Sequence, residues 1–230
     1  MTILAVTGLK REAEIAGGPG VVAVAGGGEA GSLAAKLDAL HGDIEGVISF
    51  GLAGGLSPLL KAGDVVVGES VQIVHAHLGA RSKSPDTIHC DERWRIALTA
   101  KLNDAFQGPI AASDTILEDA EAKAALFAAT GALAVDMESA VAGRFAAARK
   151  LPFAVLRVIS DDASHVLPPA ALVAMKPDGG IALGRVLGSL LRHPLQVPAL
   201  IRTARTSSTA FRELLRCRSL SGVGLAGLDL

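Results

Sequence analysis

Three acidic positions stand where carboxylates could act on a bound molecule. Asp136 and Glu138 lie in Ala134-Val135-Asp136-Met137-Glu138-Ser139, between an apolar run and an Ala-rich helical pattern from Ala140 to Arg149. That is a strand end turning into a helix, the place where open α/β sheets collect ligands. The competing explanation is the ordinary preference of acids for the first turn of a helix. Asp161 closes a second apolar run, Val155-Leu156-Arg157-Val158-Ile159-Ser160, and Asp162 follows it. One helix separates the two acidic ends, so they belong to neighbouring connections of one sheet. Carboxylates brought together in this way could give or take a proton, or accept hydrogen bonds from a bound molecule.

The elements that must position them are legible as an alternation of short apolar strands and helices. Strands are expected at Thr2 to Thr7, Val21 to Ala25, Val47 to Phe50, Asp64 to Val74 and Pro109 to Ala112. Helices are expected at Glu29 to His41, Trp94 to Phe106 and Asp119 to Ala129, with a short one near Lys10 to Glu14. Gly26-Gly27-Gly28 closes the second strand, and Gly51-Leu52-Ala53-Gly54-Gly55 reads as a Gly-rich turn where a ligand could approach the backbone. Ala80 to Asp91 is polar, contains Pro85 and reads as an exposed loop. This alternation predicts an α/β fold with a central mixed sheet covered by helices on both faces. Pro168-Pro169 marks a break. Beyond it come a helix from about Gly180 to Leu191 and, after Pro194 and Pro198, a last helix from Ala199 to about Arg216. Residues 1–193 are expected to form the main domain and residues 194–230 an Arg-rich amphipathic arm, poorly ordered past Arg218.

Composition bounds the reading. Half of the residues are apolar, Tyr is absent and Trp occurs once, so small aliphatics must fill the core. A formal net charge of −1 gives no nucleic-acid signature. Cys90 and Cys217 do not suggest a disulfide framework. His75 and His77 flank one residue, but nothing else in the sequence completes a metal site, so no metal is expected. With no basic-then-apolar amino terminus and no long apolar span, a cytoplasmic protein is expected.

Taken together and in this order, the Phe50–Leu56, Asp136–Glu138 and Ser160–Asp161 motifs resemble those of the nucleoside phosphorylase and nucleosidase superfamily, most closely its methylthioadenosine/adenosylhomocysteine nucleosidase branch. The similarity covers roughly residues 1 to 165. It implies a three-layer α/β/α fold, cleavage of a purine from ribose, and a homo-oligomer, with a dimer favoured. Asp161 would protonate the purine, which a carboxyl can do near neutrality only where its surroundings favour the neutral form. Capping of the next helix is its bland alternative, and Asp162 its competitor. Glu138 would accept both ribose hydroxyls, with Met137 packed on the sugar and Asp136 beside them. Glu12 would orient the attacking water, with Glu14 as the other candidate. Ser160, Gly51, Leu52, Ala53, Gly54, Ile116 and Gly27 complete the expected binding set. The amides of the Gly26–Gly28 turn could alternatively hold phosphate, the one co-substrate envisaged, since no cofactor is expected.

The chain departs from that pattern in the base site. Leu52 stands where adenine-specific nucleosidases carry Ser, Ile116 stands near their stacking Phe, and the Gly-Asp-Pro phosphate motif of one phosphorylase branch is absent. The carboxyl-terminal arm, with Arg202, Arg205, Arg212 and Arg216 along a face of the last helix, suits either an anionic membrane surface or oligomer packing. That arm, the Ser49–Gly55 motif and the Gly8–Ala13 start resemble the hopanoid-associated phosphorylases. This resemblance implies a lipid-linked nucleoside, adenosylhopane, as substrate, with peripheral contact at the inner membrane face. Two other readings stay open: a nucleosidase for soluble thioadenosines, and a non-catalytic nucleoside-binding or membrane-associated module.

Overall fold

A computed structural model describes residues 2–27, 29–74, 86–174, 176 and 178–227. His75, His77 and Gly28 lie outside them. Within the described residues, eight strands form one mixed sheet: β1 (Ile3–Thr7), β2 (Val21–Ala25), β3 (Gly46–Gly55), β4 (Val65–Val74), β5 (Thr87–His89), β6 (Phe106–Ser113), β7 (Ala134–Asp136) and β8 (Phe153–Asp161). Neighbours run in the order β2-β1-β3-β7-β6-β4-β5, and β8 pairs with both β3 and β4. The bridge made by β8 joins β3 to β4, so β3, β8, β4, β6 and β7 close on themselves. This closure pairs those five strands on both sides and leaves β2 and β5 as the outer strands among the described residues.

Among the described residues, eight α-helices cover the sheet: α1 (Lys10–Ala16), α2 (Ala30–Asp38), α3 (Glu92–Lys101), α4 (Ala120–Thr130), α5 (Ser139–Arg149), α6 (Pro169–Leu172), α7 (Leu183–Arg192) and α8 (Val197–Ser221). Leu33 and Leu37 of α2 and Ala142, Phe145 and Ala146 of α5 pack with Leu4, Val6, Val47 and Val155 on one face. Trp94 and Leu98 of α3 and Phe211, Leu214 and Cys217 of α8 pack with Ile3, Ile48, Phe50 and Leu156 on the other. The structure is therefore three-layered, as the alternation of elements predicts.

Three local expectations need correction. The Gly-rich stretch Gly51–Gly55 is the second half of a ten-residue strand, not a turn. Strand pairing holds it: β3 is in register with β8 from Val47–Phe153 to Ala53–Ile159. Within the stretch read as an exposed loop, Thr87–His89 forms β5, because Ser70 to Gln72 of β4 offer it an antiparallel partner. The chain past Arg218 is packed as far as Gly227. Leu225 and Ala226 are buried, and the Trp94 indole N–H donates to the Leu225 carbonyl at 2.8 Å. Local sequence is Gly-rich there, and the reason for order is distant: Trp94 and the core that Leu225 and Ala226 join.

Candidate active site

Two groups of charged side chains are buried along β3. The first lies at its middle. Glu12 projects from α1, is 3 % exposed, and accepts from the backbone amides of Gly8, Leu9 and Leu52, each at 2.8 Å. Burial nevertheless dominates and raises its pKa above the usual carboxylate range, although those three amides oppose the shift. Glu14, the other candidate, is exposed. Glu138 is the residue on which α5 begins, and it is buried too. Burial pushes its pKa up to about 7; Arg157 pulls it down, while Asp136 and Glu12 add to the rise.

Arg157 of β8 is the cation this group is built on, and it went unremarked among the sequence motifs. It is fully buried, 2.5 Å from Asp136 and 3.8 Å from Glu138. Its Nη2 also donates to Ser49 Oγ at 2.5 Å, and its Nη1 to the Leu52 carbonyl at 3.3 Å. Asp136 accepts from the amide and hydroxyl of Ser139 as well, so it anchors the turn into α5. Arg157 Nε is buried with no hydrogen-bond partner among the described residues. The signal that could have found Arg157 is its place inside an otherwise apolar strand: a charge there must be paired.

The glycines of this group make room for carboxylates rather than, in the first place, for a ligand. A Cβ at Gly8 would lie 2.8 Å from Glu138 Oε1, and one at Gly51 would lie 2.8 to 2.9 Å from the Glu12 carboxyl. Gly51→Ala should therefore lever Glu12 off its three amides. We expect a loss of about 1–3 kcal/mol in urea unfolding; an unchanged midpoint would mean that the Glu12 carboxyl can move aside without cost.

The second group lies at the end of β3. Residue pairing between β3 and β8 skips Ser160, so that Gly54 faces Asp161. Such a bulge re-aims a side chain. Here it lays Asp161 against Gly54, where a Cβ would stand 3.3 Å from Oδ2. Ser160 Oγ is 2.5 Å from Asp161 Oδ1 and 3.2 Å from the Ala53 carbonyl. Asp161 Oδ2 meets Lys123 Nζ of α4 at 2.5 Å, both side chains being buried. Asp161 is thus buried within an ion pair. Asp162 faces elsewhere. Its partial burial opposes ionisation, yet bonds from the Ser164 hydroxyl and amide, with Arg202 nearby, hold its pKa below the usual range.

Other expected residues fall at varied distances from these groups. Met137 and Leu52 are half-buried, Ala53 is buried, and Ile116 is exposed. Gly27 takes a positive φ of 77° and spends its amide on the Gly8 carbonyl at 2.8 Å, while the Gly26 amide bonds Thr7. Neither amide is free for phosphate. His165 is buried, and its Nε2 is 2.8 Å from Thr203 Oγ1 of α8. No group of three metal-ligating side chains occurs among the described residues.

Glu12 lies at Gly51 and Asp161 at Gly54, three residues apart on β3, about 10 Å at the rise of an extended strand, and Glu138 stands beside Glu12 at Gly8. One end offers buried carboxylates around a single cation, and the other offers a carboxyl paired with an ammonium. Such a pair of ends can hold the hydroxyls of a sugar and a heteroaromatic base.

The family model described as "Phosphorylase superfamily" matches residues 8–191. A 5′-methylthioadenosine/S-adenosylhomocysteine nucleosidase from Marinomonas sp. (strain MWYL1) is 33% identical over 141 residues, 54% of this chain, and the match spans 59% of that relative. Among solved structures, the Neisseria meningitidis 5′-methylthioadenosine/S-adenosylhomocysteine nucleosidase in complex with methylthio-immucillin-A superposes with a TM-score of 0.68 at 18% identity, covering 95% of this chain and 97% of that one. Futalosine hydrolase of Helicobacter pylori strain 26695 does so with 0.65 at 18% identity, covering 95% and 97%. These structural likenesses concern the fold.

Proposed function

Because the chain belongs to the phosphorylase superfamily, we propose that it cleaves the N-glycosidic bond of a purine nucleoside and releases adenine. The observation that carries this reading is the pair of carboxylate groups at Gly51 and Gly54 of one strand. In it, Glu138 accepts from the ribose hydroxyls, and the negative charge of Glu12, Asp136 and Glu138 exceeds that of Arg157, which favours a cationic sugar. Asp161 gives a proton to the departing base. Water is the nucleophile we favour, oriented by Glu12, since the Gly26 and Gly27 amides are already bonded.

The substrate we propose is a nucleoside carrying a lipid, adenosylhopane. Support comes from the segment following Gly179. Leu183, Leu187 and Leu191 form a stripe on α7 and are 61 to 86 % exposed, and Ile181 and Leu195 extend it. From Gly179 to Arg212 the chain carries five arginines and no acid. Apolar side chains flanked by cations suit an anionic bilayer surface. The loop leading into α7 is tied to the site, because the Lys10 amide bonds the Gly179 carbonyl at 3.0 Å and Gly179 packs against Gly8. On α8, by contrast, Phe211 and Leu214 face the core and Arg216 is bound to Asp104 and Glu213, so α7 is the better candidate for contact with lipid.

Purified protein should release adenine from adenosylhopane faster than from methylthioadenosine, equally well with and without phosphate. Chromatography of the products decides it. Preference for methylthioadenosine would favour the thioadenosine nucleosidase reading, to which the 33% identical relative lends weight. Binding without adenine release would favour a non-catalytic module. Separately, Leu187→Asp/Leu191→Asp should co-sediment with anionic liposomes at least fivefold less than wild type, and salt should weaken the wild-type attachment. If wild type stays in the supernatant, α7 is not a membrane device; loss of a dimer in the variant would mark the stripe as a subunit contact.

A further inference from the structure

Lys123 stands out because the other residues of α4 are exposed or half-buried, yet this lysine is 1 % exposed. Its ammonium has three hydrogens and three acceptors around it: Asp161 Oδ2 at 2.5 Å, the Asp162 carbonyl at 3.0 Å and the His165 carbonyl at 3.2 Å. The nitrogen is therefore fixed in direction. Two bonds secure its surroundings. Asp119 caps α4 by accepting from the Ala122 amide at 2.7 Å, and the Leu167 amide bonds the Glu118 carbonyl at 2.9 Å, which pins the 162–167 segment to the start of α4.

Asp161 Oδ1 is taken by Ser160 and Oδ2 by Lys123. A carboxyl that protonates a base must first carry a proton. An ammonium on its far oxygen is the nearest source, at hydrogen-bond distance. We propose that Lys123 is the positioning residue of the acid: it fixes the Asp161 carboxyl against Gly54 and supplies the proton that Asp161 passes to the base. The ammonium gives a proton to Asp161, leaving a neutral amine and a carboxylic acid. Asp161 then gives that proton to the purine nitrogen as the bond between sugar and base breaks with its electrons going to the base. Water adds to the sugar carbon and loses a proton, and solvent returns one to the amine. The inference rests on the functional reading above and extends it to a residue that touches neither sugar nor base.

Leaving-group dependence separates this role from a structural one. 4-Nitrophenyl riboside carries a leaving group that departs without protonation. Wild type is assayed first on that substrate and on the adenine nucleoside; cleavage of neither would sink the functional reading itself. With wild type active, Lys123→Met should lose about a hundredfold or more in kcat on the adenine nucleoside, with KM changed less than threefold, and keep its rate on the nitrophenyl riboside within threefold. The double variant Lys123→Met/Asp161→Asn, which removes both charges together, should be no slower than Asp161→Asn alone, and it serves should the single lysine variant fail to fold. Equal losses on both substrates, an unchanged adenine rate, or multiplying losses in the double variant would each overturn the proposal.

Discussion

Glu138→Gln should be a more stable and a nearly inactive protein. Burial raises the Glu138 pKa to about 7, against 4.5 for an unperturbed glutamate. The folded state therefore binds this proton more tightly than the unfolded chain does. Its contribution to stability is fully present below about pH 4.5 and is lost as pH rises through 7. At pH 8 the ionised side chain costs the fold on the order of 3 kcal/mol, and glutamine, which has no charge to bury, avoids that cost. Urea unfolding should show the variant ahead of wild type at pH 8 and level with it near pH 5. Turnover should drop by about a hundredfold to a thousandfold, the usual effect of losing a charge aimed at a developing one. In wild type, kcat/KM should fall as pH is lowered through about 7, because the free enzyme then holds Glu138 as an acid. A variant with unchanged turnover would remove Glu138 from the mechanism, and identical unfolding profiles would mean that its burial carries no such cost.

Arg157→Met should be the most damaging single change. It leaves Asp136 and Glu138 buried without their cation and strips a donor from Ser49 and from the Leu52 carbonyl. Breaking a buried pair by removing one partner typically costs about 3–5 kcal/mol. That is a large fraction of the stability of an ordinary domain. The deficit should shrink as pH falls from 8 to 5, since Arg157 holds the Glu138 pKa down and its loss lets that buried carboxyl take up a proton more readily. Urea midpoints of wild type and variant across that range measure it. A loss below about 1 kcal/mol, or one independent of pH, would show that Asp136 finds its stabilisation in Ser139 instead.

The strands were legible because each is a short apolar run bounded by Gly or polar residues, and the acids Asp136, Glu138 and Asp161 because each ends or follows such a run. What local pattern could not reveal is pairing across the fold. Ser160 reads as one more strand residue, and only alignment with β3 turns it into the bulge that aims Asp161. Gly51 and Gly54 read as a turn because glycine is a turn residue, yet they are strand positions emptied for Glu12 and Asp161. Lys123 lies in Ala120-Glu121-Ala122-Lys123, which looks like any solvated helix, and its burial depends on Asp161, 38 residues away. Arg157 was visible as a charge within an apolar strand, but its partners were not.

The last helix has a consequence for how this chain comes into being. Phe211, Leu214, Cys217 and Leu225 complete the same core as Ile3 and Ile48. Arg218 reaches back to the Ala16 carbonyl at 2.9 Å, across 202 residues of sequence. Contacts of such long range form late and slow the search for the native state. During synthesis the first strands leave the ribosome long before the residues that cover them. The face of β1, β3 and β8 that α8 will occupy therefore stays open to water and to chaperones until the final helix has emerged.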